Sequence, residues 1–136
     1  MRSGKYLLAF IMLLVSALAF AASDKENRYI ATVDPDGVQR VEVVSGGYYF
    51  DPNIIVVKVN VPVEMKVRKE GGLTPHDILL QAPEAGINFA EDLSSEPQLI
   101  RFTPTKVGRY EFECTKKLPF FPSHKDRGMH GVLVVE

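Results

Sequence analysis

The chain has 136 residues, 46% of them hydrophobic and 24% charged, and a formal net charge of −1. That length suits one domain with one core, and a near-neutral balance without a basic stripe excludes the electrostatics of a nucleic-acid binder. Its single cysteine, Cys114, excludes an intrachain disulfide.

The N-terminus opens on a short basic stretch, Met1 to Lys5, followed by an apolar run from Leu7 to Leu18 and the small-residue ending Ala19-Phe20-Ala21. Ser23-Asp24-Lys25-Glu26 then turns polar. This is the layout of a cleaved secretory signal peptide over residues 1–21. A retained anchor helix is the competing reading, since Tyr6 to Ala22 approaches the length of a membrane span; the charges just past the small residues favour cleavage. The expected product is periplasmic or otherwise exported, with no membrane attachment after cleavage. It keeps 115 residues (136 minus 21) and, without Arg2 and Lys5, a charge of 14 minus 17, or −3. Residues 22–27 read as a polar, flexible tail and residues 28–136 as the folded domain.

Residues 28–33 and 38–44 read as short strands around the turn Asp34-Pro35-Asp36-Gly37. Ser45-Gly46-Gly47 breaks the chain before Tyr48-Tyr49-Phe50-Asp51-Pro52. Val57, Val59, Val61, Val63, Met65 and Val67 then alternate with polar residues and Pro62, a half-buried strand pattern. Pro62 cannot donate to a ladder, which splits the run into strands over about 53–60 and 63–69. His76 stands where the loop Gly71 to Pro75 meets the apolar run Ile78-Leu79-Leu80. Residues 82–98 read as irregular with room for a short helical turn. Strands follow over residues 98–102, 109–114 and 131–136. Seven or eight short strands without a sustained helical period predict an all-β chain folded as an antiparallel β-sandwich.

The chemistry collects at the C-terminal end. Along Arg109 to Cys114, alternation puts Tyr110, Phe112 and Cys114 on one face and Glu111 and Glu113 on the other, where the two carboxylates read as solvated rather than catalytic. His124, Met129 and His130 follow within sixteen residues of Cys114. In an oxidising compartment an unpaired thiol needs a reason, and histidines nearby point to a metal. One thiolate, two imidazoles (His76 and His124) and a thioether (Met129) form a ligand set suited to one copper ion cycling between Cu(I) and Cu(II). Without a Ser–His–Asp arrangement, phosphate loop or zinc spacing, hydrolytic and nucleotide chemistry have no support.

With these residues in place, the chain resembles the cupredoxin family over most of residues 28–136. Phe50-Asp51-Pro52, Ile55, Val57-Lys58, Val63, Val67 and His76 resemble the first half of that fold. Phe102-Thr103-Pro104, Gly108 and Tyr110-Glu111-Phe112-Glu113-Cys114 are similar to the second half, and Cys114, His124, Met129 and Gly131 to its ligand loop. The resemblance implies a Greek-key sandwich, His76, Cys114 and His124 as equatorial ligands and Met129 as the axial one. His130 stays open as an alternative fourth ligand. Two features depart from the family pattern. Nine residues, Thr115 to Ser123, separate Cys114 from His124 where familiar members have few, and Asp77 stands where many carry Asn after the first histidine. Asp77 accepting from Thr115 would tie the two ligand segments together.

The function implied is single-electron transfer between redox partners. Two rivals use the same residues: a copper carrier or sequestration protein, and a copper enzyme with an open coordination position if Met129 does not bind. Leu118, Phe120 and Phe121, with Lys116, Lys117, Lys125 and Arg127 around them, read either as a solvated loop or as an apolar docking patch with a basic rim for an acidic redox protein.

Overall fold

The computed structural model describes residues 25–136, so the expected signal peptide and residues 22–24 of the expected tail lie outside the described residues. Among the described residues, ten strands form two packed sheets. In chain order they are β1 (Arg28–Ile30), β2 (Gln39–Gly46), β3 (Tyr49–Asp51), β4 (Ile54–Val57), β5 (Val63–Lys69), β6 (His76–Ala82), β7 (Ile87–Leu93), β8 (Gln98–Phe102), β9 (Gly108–Glu113) and β10 (His130–Val135). One sheet runs β1-β4-β10-β9-β6-β7 and the other β3-β2-β5-β8.

The all-β sandwich agrees with the sequence pattern, while strand number and direction differ from it. β4 pairs in parallel with both β1 and β10, and β2 pairs in parallel with β5; the remaining pairs are antiparallel. Alternation reports which face a residue occupies and is blind to the direction of the neighbouring strand. β4 shows the consequence, because Ile54 to Val57 are buried on both faces, as expected of a strand held between parallel neighbours.

The long alternating run divides earlier than Pro62. β4 ends at Val57, and residues 58–62 carry the chain from one sheet to the other before β5 begins. Gln39, fully buried on β2, holds that crossing: its Nε2 donates to the carbonyls of Lys58 (2.9 Å) and Val61 (3.1 Å), and its Oε1 accepts from the Lys58 amide (2.7 Å). Both polar ends of a buried amide are thereby satisfied. Residues 82–98 are also more regular than expected. After a 3₁₀ turn at Pro83–Ala85, β7 pairs with all of β6. Its inward residues Ile87, Phe89 and Leu93 are diluted by exposed Glu91 and Asp92, charges suited to the sheet edge they occupy but masking the strand pattern.

Between the sheets lies one core built on Ile55, Met65, Val67, Ile78, Phe112 and Leu133. Phe112 meets Phe50 edge to face at 5.3 Å between centroids, and its ring covers Gly131 across the β9–β10 ladder. A Cβ at Gly131 would lie 2.3 Å from that ring and 2.5 Å from the Asn53 carbonyl, so only glycine fits there. At the N-terminal edge, Asn27 is joined to Asn53: the Asn27 amide donates to Asn53 Oδ1 (2.8 Å), and the amides of Asn53 and Ile54 donate to the Asn27 carbonyl.

Candidate metal centre

Three segments deliver three donors to one pole of the sandwich. His76 opens β6, and the strand's period of two puts it on the inward face with Ile78 and Leu80. Cys114 follows β9 directly and continues the inward face of Phe112. His124 arrives from the long loop. The residues that separate it from Cys114 form a closed excursion: the His124 amide donates to the Lys116 carbonyl at 3.0 Å, so the chain re-enters beside the point where it left. The insertion thus projects as a lobe closed at its base, with Leu118, Phe120 and Phe121 exposed on it.

His76, Cys114 and His124 are 5%, 1% and 3% exposed, and their donor atoms all lie within 4.8 Å of one another. His76 Nδ1 is 3.3 Å from His124 Nδ1, which is 3.5 Å from Cys114 Sγ. Metal bonds of about 2.0 Å to nitrogen and about 2.3 Å to sulfur, spread about 120° apart in a plane, put the donors roughly 3.5–3.7 Å from each other. The two spacings that involve His124 match a trigonal N₂S set, the third, between His76 and Cys114, lies within 4.8 Å and draws in when a metal is shared, and two imidazoles with one thiolate suit copper. Among the described residues, no other group of three or more histidine, cysteine or carboxylate side chains comes within such reach.

Met129 is fully buried and tied by its backbone to two of these residues. The Cys114 amide donates to the Met129 carbonyl, and the Met129 amide to the His124 carbonyl, each at 3.0 Å. His130, one residue on, begins β10 and shares the outward face with Val132 and Val134, opposite the core-facing Leu133 and Val135. It stands outside the three-donor group.

Asp77 bridges the two ligand segments. The Thr115 amide donates to Asp77 Oδ1 at 2.6 Å, and the Thr115 hydroxyl donates to Asp77 Oδ2. The residue after His76 is thereby fastened to the residue after Cys114. On the outward face, Glu111 and Glu113 are not simply solvated, because Lys125 pairs with both, at 3.0 Å from Glu111. That pairing anchors the loop beyond His124 to β9.

Burial lowers the basicity of both histidines. For His76 desolvation is reinforced by the neighbouring His124 and Lys69, and for His124 by Arg127. Neutral imidazoles with free lone pairs are the form a metal needs. Burial also pushes the Cys114 thiol up, so the metal-free pocket holds a protonated sulfur that must release its proton on binding.

No family model matches the sequence, and no curated protein matches it. Among solved structures, the metal-binding domain of the Cu(I)-exporting P-type ATPase of Streptococcus pneumoniae D39 with Cu(I) is similar, with a TM-score of 0.60 and 23% identity over 81% of this chain and 96% of that one. Reduced auracyanin from Roseiflexus castenholzii has a TM-score of 0.57 and 22% identity over 71% of this chain and 96% of that one. Auracyanin A from Chloroflexus aurantiacus, a "blue" copper protein, has a TM-score of 0.53 and 21% identity over 74% and 100%. The fold is cupredoxin-like.

Sequence reasoning missed one residue of this cupredoxin-like site. Tyr48, between β2 and β3, lays its ring edge-on against both imidazoles, with centroids 4.9 Å from His124 and 6.2 Å from His76. Arg127 places its guanidinium 4.7 Å from the Tyr48 ring centroid. Nothing in the spacing of Tyr48, twenty-eight residues before His76, connects it to the ligand loop. The only local hint is an aromatic in a glycine-rich turn.

Proposed function

We propose that the chain is an exported mononuclear copper protein that carries single electrons between redox partners. The observation behind this reading is the trio of buried donors from His76, Cys114 and His124, gathered within 4.8 Å of one another. Bound copper supplies a reversible one-electron change between Cu(I) and Cu(II). The chain supplies the rest. His76 and His124 present Nδ1 lone pairs, Cys114 gives up its proton to become a thiolate, and Met129 serves as the weak fourth ligand. The Asp77–Thr115 bridge and the surrounding core resist rearrangement, so both oxidation states meet nearly the same geometry.

Burial of all three donors favours retention of the metal over ready release, which ranks electron transfer above a carrier role. Among the described residues no helix is long and apolar enough to cross a membrane, and export rests on the signal-like N-terminus. For partners we propose docking at the projecting lobe. Phe120 is fully exposed and holds a left-handed backbone (φ 63°), while Leu118 and Phe121 are half exposed beside it. Lys117 adds positive charge, whereas Lys116 is paired with Asp92 at 2.7 Å. An apolar patch with a weakly basic rim suits an acidic redox protein.

The test is an optical and EPR spectrum of the copper-loaded protein, followed by a redox titration and competition with a Cu(I) chelator. An intense thiolate-to-copper band, reversible cycling and slow loss of copper are expected. Rapid surrender of the metal without reversible cycling would overturn electron transfer in favour of a carrier.

A further inference from the structure

Tyr48 occupies an unusual position for its type. β2 ends at Gly46 and β3 starts at Tyr49, with these two residues paired, so Gly47 and Tyr48 alone make the turn. Tyr48 has φ 63°. A bulky side chain in this left-handed region is strained, and turns that need it favour glycine or asparagine. Strain of this kind persists where the surroundings over-determine it, and it clusters at functional sites. Here the strained backbone sets an aromatic ring against both imidazoles of the candidate centre.

Tyr48 also meets three separate segments of the site. Its ring touches His76 at the start of β6, His124 in the lobe-bearing loop, and Arg127 in the turn after His124. That turn is closed by the Arg127 amide donating to the His124 carbonyl (3.2 Å), so Arg127 and His124 approach the ring as one unit. On the solvent side lies a surface hollow of about 390 Å³ bordered by Tyr48 and Arg127, and neither histidine lines it. The Tyr48 ring, clamped by a guanidinium, therefore borders the hollow and meets both imidazoles.

We propose that Tyr48, held by Arg127, is a positioning residue of the metal centre: it fixes the His76 and His124 ring planes and closes the pole against water and exogenous ligands. The proposal deepens the copper reading and rests on it. A closed pole keeps small anions from the metal and preserves coordination through each electron transfer, so Tyr48 favours a carrier of electrons over a catalyst with an open position.

Two variants separate this role from a structural one. Tyr48→Gly removes the ring yet suits the left-handed backbone, so folding is preserved or improved. Tyr48→Phe keeps the ring. In the metal-free protein, the rate at which Cys114 reacts with an aromatic disulfide reagent should rise about tenfold or more in Tyr48→Gly, because a buried thiol reacts only through openings of its surroundings. Tyr48→Phe should react like the parent. In the copper-loaded protein, azide should perturb the visible band and EPR spectrum of Tyr48→Gly and leave parent and Tyr48→Phe unchanged. Parent-like thiol rates together with azide insensitivity in Tyr48→Gly would overturn the proposal, as would a Phe variant as open as the Gly variant. If the parent itself shows no thiolate-to-copper band, the copper reading fails, and the thiol rates still report whether Tyr48 closes the pole.

Discussion

The bridge between Asp77 and Thr115 should set how firmly the metal is held. Asp77→Ala removes both bonds, the one from the Thr115 amide at 2.6 Å and the one from its hydroxyl. A hydrogen bond to a charged group contributes about 1.5–3 kcal/mol. Asp77 is half-buried and Thr115 exposed, so water replaces part of each, which leaves a combined loss of about 2 kcal/mol. Part of that loss lowers the stability of the metal-free fold. The part that matters for the site is freedom of the Cys114 segment relative to His76, and loss of such outer partners typically weakens metal affinity roughly 10–100-fold. Asp77→Asn is the control. Its Oδ1 can still accept from the Thr115 amide and its amide group can donate to the Thr115 hydroxyl, so affinity should fall by no more than about threefold. Competition against a Cu(I) chelator measures affinity, and melting of the metal-free variants measures stability. Copper held equally by Asp77→Ala and the parent would refute the bridge. A drop in Asp77→Asn as large as in Asp77→Ala would show that charge, rather than the paired bonds, matters.

Cys114→Ser should abolish the visible thiolate band, and an unchanged spectrum would remove Cys114 from the ligand set. Met129→Leu should shift the potential measured by redox titration more than it changes copper affinity, since a thioether at a long axial distance binds weakly. Gly131→Ala should destabilise the domain by roughly 1–3 kcal/mol through overpacking against Phe112, seen as a lower denaturation midpoint with or without copper; an unaltered midpoint would contradict the close ring contact. Phe120→Ser should leave stability within about 0.5 kcal/mol and slow electron exchange with an acidic partner protein. Equal exchange rates for parent and variant would dismiss the lobe as the docking surface.

Much of the sandwich was legible locally. The alternation of Val63, Met65 and Val67 marked β5 and its inward face, and that of Tyr110, Phe112 and Cys114 marked β9, because the side-chain period of a strand is a property of the strand alone. The inward aim of Cys114 could be read for the same reason. β7 was obscured because Glu91 and Asp92 interrupt its pattern, and β4 because its apolar run continues through Val59 and Val61 after the strand has ended. Parallel pairing at β2–β5 left no mark on the sequence, since pairing direction is decided between segments distant in the chain, and at β4 it shows only in the unbroken apolar run Ile54 to Val57.

By itself, the sequence determined the chemical inventory and the faces: a lone cysteine after an alternating strand, histidines and a methionine close behind it, and an earlier histidine opening an apolar run. The tertiary structure alone decided that His76, forty-eight positions from His124, comes to rest 3.3 Å from it, that the inserted lobe closes at its base through Lys116, and that Tyr48 covers both imidazoles. The contacts of His124 with His76 and of Tyr48 with both imidazoles join residues far apart along the chain. They arise because two sheets must bury their apolar faces against each other, and the place where loops meet at the end of that sandwich depends on the packing of the whole domain.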